Sequence, residues 1–312
     1  WVLYFNDLGI SLTYIGFIFA ANSLAMFLFE IPTGAIADIF GRKVSVGLAY
    51  TILGFGYIGM ILAGTNILLL VILNFITGIA WTMESGAFEA WFVDTVKHKK
   101  KEKHLHKLLG RWGSTSNLGF IIGPFLGGVL VSFGYEKAFF TTAAIMIILG
   151  ISILTFGKEY YFKRKKIHIR KDIKRTINNA KEAIHYAKNH PTIFLFTIIA
   201  FFGAIGGTLT YNAMQPHLIN IGLNSSFIGY ALSIGGILLV LQLNWSHKIK
   251  NLLGGNKKML ITYGILFGLT TITLGLMKTM IFGLIVMIIY VAFHDLGSRN
   301  SPAYQEITSK AI

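Results

Sequence analysis

Gly34-Ala35-Ile36-Ala37-Asp38-Ile39-Phe40-Gly41-Arg42-Lys43 stands between two long apolar runs, Tyr14 to Phe40 and Val44 to Ala63. It carries an acid near the end of the first run, a glycine that permits a tight reversal, and two cations suited to the lipid headgroup side. Outward from it, further runs cover approximately Ile67 to Asp94, Leu108 to Phe133, Ala138 to Phe156, Thr192 to Tyr211, Ser226 to Trp245, Met259 to Met277 and Met280 to Gly297. About twenty apolar residues in a helix cross a hydrocarbon layer of roughly 30 Å. Nine such runs, 54% hydrophobic residues and a mean hydropathy of +0.63 predict an all-α membrane protein with lipid as its solvent. The aromatic-rich stub Trp1 to Leu8 reads as the tail of a further span.

The formal charge of +15 raises nucleic acid as a partner, and the location of the charge decides against it. Of 28 Lys and Arg, 26 fall in alternate loops: Arg42–Lys43, Lys97 to Arg111, Lys158 to Lys188, Lys248 to Lys258, and Arg299 with Lys310. The opposite loops hold only Lys137 and Lys278. Such asymmetry places the basic loops in the cytoplasm of a multi-pass protein of the cell membrane. With no cysteine, disulfides, thiolate metal sites and Cys nucleophiles are excluded. His98, His104 and His106 lie among lysines with Glu102 as their one carboxylate, which reads as a solvated basic loop. No metal and no cofactor is expected.

Lys158 to His190 is the only long polar segment, and it divides the chain into an N-terminal helix bundle (1–157), a basic linker (158–190) and a C-terminal bundle (191–312). Ile173, Ile177, Ala180, Ile184 and Ala187 recur at three- and four-residue spacing, which predicts an amphipathic helix on the cytoplasmic membrane surface. Pro191 then opens the next span, where a missing N–H costs least. An internal repeat supports the division. At an offset of 213 residues Gly9-Ile10-Ser11-Leu12-Thr13-Tyr14-Ile15-Gly16-Phe17 aligns with Gly222-Leu223-Asn224-Ser225-Ser226-Phe227-Ile228-Gly229-Tyr230, Asp38 with Asn251, and Gly41 with Gly254. A parallel repeat of this kind is expected of a six-plus-six transporter. By that count the first span is incomplete and two more would follow Ile312.

As a pattern, Gly34 to Lys43 resembles the signature cytoplasmic loop of the major facilitator superfamily, Gly-x-x-x-Asp-Arg-x-Gly-Arg-Lys, with Ile39 where the family usually has a cation. The resemblance implies two six-helix bundles related by a pseudo-two-fold axis, here truncated to about nine full spans plus the end of the first. It implies a conformational switch loop of Gly34, Asp38, Gly41, Arg42 and Lys43, with Arg42 meeting an acid at the cytoplasmic end of the fourth span, by position Asp94. The fifth span adds Gly110, Gly119, Gly123, Pro124, Gly127 and Gly128, filling every position of the family's antiporter motif. Gly119, Gly123 and Gly127 at four-residue spacing expose one face of bare backbone to a neighbouring helix, and Pro124 permits a kink. In the family that motif marks exporters that exchange substrate for protons.

The fourth span carries Glu84, Glu89 and Asp94, acids that are costly in lipid. At 100° per residue Glu84 lies near Thr77 and Trp81, and Glu89 shares the other side with Gly78, Ser85 and Gly86. Small residues mark the packing face, so Glu84 is expected in the central cavity and Glu89 against a helix or the switch loop. Glu30 and Asp295 are further candidates for a proton or substrate site; for each acid the alternative is structural pairing. The Arg that family members often carry four residues before a glycine of this span is Asn74 here, before Gly78.

The leading reading is a monomeric proton-coupled antiporter that exports a small amphipathic molecule by alternating access, with the proton gradient as its energy source and protons, substrate and bilayer as its partners. An importer or facilitator on the same fold is the alternative. A membrane-embedded transferase built on His294-Asp295 is the third class.

Overall fold

The computed structural model describes residues 1–100, 104–160, 178, 181, 182 and 185–294, and among these the regular structure is helical with no strand. A helix pairs every backbone N–H and C=O within its own segment, as hydrocarbon demands. Eleven helices are described: α1 (Val2–Asp7), α2 (Leu12–Phe40), α3 (Arg42–Ala63), α4 (Ile67–His98), α5 (Leu105–Val131), α6 (Tyr135–Phe156), α7 (Pro191–Asn220), α8 (Ser225–Asn244), α9 (Ser246–Leu253), α10 (Asn256–Leu276) and α11 (Met280–His294). Eight are long and apolar enough to cross a membrane: α2 to α8 and α10. The ninth apolar run forms α11, of 15 residues, and its last residues, with Asp295, lie outside the described part. So do Ile173, Ile177, Ala180 and Ile184 of the expected linker helix.

The internal repeat is visible as repeated turn geometry. Gly9 (φ +81°) and Gly222 (φ +95°) each end a helix in the positive-φ region that suits glycine. After α1, the Gly9 N–H donates to Asn6 O (3.0 Å) and the Ile10 N–H to Phe5 O (3.0 Å). After α7, the Gly222 N–H donates to Ile219 O (2.9 Å) and the Leu223 N–H to Leu218 O (3.0 Å). These are matching Schellman caps, each closed by a buried apolar residue, Ile10 or Leu223. Ser11 and Asn224 then take the N-cap positions of α2 and α8.

Contacts group the chain into two units, Leu3–Arg111 with Gly134–Lys181, and Trp112–Phe133 with the residues from Glu182 onward. The grouping takes most of α5 out of the run 1–157 and joins it to second-half helices. In the first unit α2 packs on α4, and α3 on both α4 and α6. Close approach there is made at glycine. A Cβ added to Gly54 would sit 2.8 Å from Ala143 O, and one added to Gly47 would sit 3.2 Å from Gly150 O, so α3 and α6 meet backbone to backbone over two turns. In the second unit α8 packs on α11, α11 on α10, and α7 touches α10 and α11.

Gly54→Leu is expected to force α3 and α6 apart, costing about 1–3 kcal/mol or more, whereas Gly16→Leu, with nothing within 4 Å of an added Cβ, serves as the neutral control. Thermal unfolding in detergent checks this. An unchanged melting temperature for Gly54→Leu would contradict the close approach.

Candidate functional site: the α2–α3 turn and the acids of α4

Only Gly41 separates α2 from α3. Its φ of +101° and ψ of 145° lie in a region open essentially to glycine alone, and the reversal of the chain depends on it. The turn brings Arg42 under the last turns of α4. The Arg42 guanidinium donates to the Asp94 carboxylate and to Ala90 O (2.9 Å). Both side chains keep partial solvent contact, 27% for Arg42 and 31% for Asp94. An ion pair so placed contributes about 0–1 kcal/mol. Beneath it lies an apolar floor of buried Ala37, Val46 and Ala87 with Tyr50, Phe88 and Ile153 around them, drawn from α2, α3, α4 and α6.

A residue that the motif does not include completes the turn. Glu159, just past α6, accepts the Arg42 N–H (2.8 Å) and the Lys43 N–H (3.3 Å). Its carboxylate thus caps the start of α3, where the helix dipole favours an anion. It also fills the space beside Gly41, since a Cβ there would sit 2.5 Å from Glu159 Oε2. Flanking contacts hold this segment against α4: Trp91 Nε1–H donates to Lys158 O (2.9 Å), and Tyr160 stacks on His98 with ring centroids 3.9 Å apart. The stem of Lys43 runs along Gly157. The available signal in the chain was an acid standing at the head of the strongly basic linker. Asp38 lies half-buried one turn before Gly41, and Gly34, a turn earlier, is exposed.

The acids of α4 are distributed differently from the wheel projection. Glu84 is half-buried and turned to α3, where the Tyr50 hydroxyl donates to it at 3.4 Å. Ser85, Gly86 and Glu89 are exposed, and the Ser85 hydroxyl donates to Glu30 of α2 at 3.4 Å. The small-residue face is therefore split. Gly78 is packed, its Cβ position 2.5 Å from Asn22 O, while Gly86 has open space. Two helices crossing at an angle touch closely over only a couple of turns, so a stripe of small residues need not be buried along its whole length. Asn74 is buried and neutral: its side-chain amide donates to Leu70 O (3.1 Å), while its backbone carbonyl accepts from Asn22 Nδ2 (3.0 Å) and Thr77 Oγ1 (2.9 Å).

The glycines of α5 show a comparable shift. Gly119, Gly123 and Gly127 have nothing within 4 Å of an added Cβ. The face that meets α8 is one residue further round, Phe120, Pro124 and Gly128. A Cβ on Gly229 would sit 2.5 Å from Pro124 O, one on Gly128 2.7 Å from Ser226 O, and one on Gly236 3.2 Å from Phe120 O. Pro124 explains part of this choice. Lacking an N–H, it leaves Phe120 O without its helical donor, and that carbonyl faces Gly236. Gly110 lies in the same helix, further toward its start. Among the described residues no three His, Asp or Glu gather as a metal site.

Residues 1–311 match the family model described as Major Facilitator Superfamily. The chain belongs to that superfamily. It is 26% identical over 258 residues to the uncharacterised MFS-type transporter YxaM of Bacillus subtilis, covering 80% of this chain and 62% of the relative. It is 25% identical over 287 residues to Multidrug resistance protein 2 of the same organism, covering 89% and 68%. A third relative, the class H tetracycline resistance protein of Pasteurella multocida, is 25% identical over 227 residues, covering 72% and 54%. The chain thus spans about two thirds of the length of the first two. Membership in the superfamily makes this a multi-pass membrane protein of a transporter family and removes the transferase reading.

Glu159→Gln keeps the shape of the cap and loses its charge, about half the strength of such a bond. Exchange of the Arg42 and Lys43 amides is expected to quicken about tenfold, with the remaining α3 amides little changed, as read by hydrogen exchange. Equal protection in both proteins would remove Glu159 from the turn.

Proposed function

We propose that the protein is a proton-coupled antiporter of the cell membrane that exports a small amphipathic molecule by alternating access, as a monomer with its basic loops in the cytoplasm. The observation that carries this is the Arg42–Asp94 pair at the Gly41 turn. The backbone of the turn is pinned by Glu159, while the side-chain pair above it is partly solvated and worth little, so it can open without unfolding its surroundings. Gly34, Asp38, Gly41, Arg42, Lys43 and Asp94 together would form the switch. The names of two relatives, a multidrug resistance and a tetracycline resistance protein, support export. For coupling, Glu84 and Glu30 each have a hydroxyl as partner, Tyr50 and Ser85, so either can take up a proton without losing an ion pair. Glu89 and Asp295 remain candidates for the same work.

A second reading, an importer or facilitator, draws on Asn74. Where the family often carries an Arg, this chain has a neutral side chain that donates to Leu70 O and to Met60 Sδ.

Full-length protein in inverted vesicles with an acidified interior is expected to accumulate a fluorescent amphipathic cation, and Glu84→Gln to slow that uptake at least about tenfold, the scale of a lost proton carrier. Accumulation that ignores the pH gradient would sink proton coupling. The orientation is checked separately, because single cysteines can be introduced into a stretch that has none. Lys137→Cys should react with a membrane-impermeant maleimide on intact cells, and Lys100→Cys only after the membrane is opened.

A further inference from the structure

The second unit ends one span in a helix whose apolar side the protein covers only in part. α8 has 20 residues, roughly 30 Å, so its end at Asn244 coincides with the edge of a hydrocarbon layer. The chain then turns at Trp245 into α9, Ser246–Leu253. At 100° per residue Leu252, Trp245, Ile249 and Leu253 form one continuous apolar arc about 100° wide. Half of the arc is used within the protein: Ile249 and Leu253 pack on buried Met259 and Tyr263 of α10. The other half is bare. Trp245 is 56% and Leu252 85% exposed. Lys248, exposed, borders that bare half, and exposed Lys257 and Lys258 follow the turn at Gly254-Gly255.

From Ala183 to His294 there is not a single Asp or Glu. Lys257 and Lys258 stand in the first turn of α10, where a cation opposes the helix dipole, so the helix gains nothing from them. An indole and a leucine exposed at the level where a span ends, bordered by lysines on flexible stems, match the boundary between acyl chains and anionic headgroups.

We propose that the surface formed by Trp245, Lys248, Leu252, Lys257 and Lys258 binds anionic phospholipid of the adjoining leaflet, the apolar pair entering the acyl boundary and the three ammonium groups meeting headgroup phosphate. The inference rests on the chain spanning a membrane and not on the direction or coupling of transport. Each lysine near an anionic headgroup layer contributes about fivefold in affinity, and three about a hundredfold.

The test is native mass spectrometry of the full-length protein released from detergent, with phosphatidylglycerol or phosphatidylcholine added, so that neither orientation nor activity enters the readout. Wild-type protein should retain phosphatidylglycerol in preference to phosphatidylcholine. Lys248→Gln/Lys257→Gln/Lys258→Gln should weaken phosphatidylglycerol retention by about a hundredfold, and Trp245→Ser/Leu252→Ser should weaken it with the charge intact. A second triple, Lys97→Gln/Lys99→Gln/Lys100→Gln, should leave it within about twofold. Equal loss in both triples would reduce the effect to bulk charge and overturn the proposal. So would equal retention of the two lipids, or displacement of phosphatidylglycerol by millimolar inorganic phosphate, which would indicate a free-anion site.

Discussion

Between helices in lipid there is little hydrophobic drive, since acyl chains are as apolar as leucine, and attraction has to come from close packing. Backbone approach at glycine is the constraint on which this structure depends. Gly47 and Gly54 let α3 lie on α6, Gly78 admits the Asn22 carbonyl of α2, and Gly229 admits the Pro124 carbonyl of α5. Each contact replaces lipid with a neighbour at full van der Waals density, which a larger side chain would forfeit. The polar contacts of the interior build on these approaches. Asn22 reaches Asn74 and Thr77 across the Gly78 contact, and Ser45 reaches Met83 O (2.8 Å) where α3 meets α4.

The α2–α3 turn combines a strong element with a weak one. Backbone N–H groups at the start of α3 bind a carboxylate, a charge-assisted arrangement reinforced by the dipole, and Gly41 leaves room for it. The Arg42–Asp94 pair beside it is partly exposed and contributes little net energy. A turn held through its backbone can tolerate the opening and closing of a side-chain latch. Since Glu159 heads the basic linker, the linker begins as part of this turn, fastened also through Lys158 and Tyr160 to α4.

Much of the site was legible at the level of residue type and less at the level of partner. The Arg42–Asp94 pairing follows from the motif. Glu159 does not, because it is 117 residues from Arg42 in the chain and belongs to no local pattern. Glu84 illustrates the limit of a wheel projection: angles around α4 separate it from Glu89, but the angle alone does not say which side faces α3. On α5 the glycine spacing marked a face one residue away from the one that packs, because carbonyl oxygens, which have no signature in residue type, also make the contact at Phe120 and Pro124.

Hydropathy, loop charge and turn chemistry are properties of short stretches, and the sequence by itself determined what depends on them: helical spans, the gathering of basic residues in alternate loops, the repeated glycine caps at Gly9 and Gly222, and the absence of disulfides. Tertiary structure decided what depends on crossing angle and register between helices. It chose Tyr50 as the partner of Glu84, Ser85 as that of Glu30, Glu159 as the cap of α3, and Phe120, Pro124 and Gly128 as the face of α5 that meets α8. A helix can rotate about its axis or slide along a neighbour at almost no cost to its own hydrogen bonds, so only the fit between neighbours selects among these arrangements.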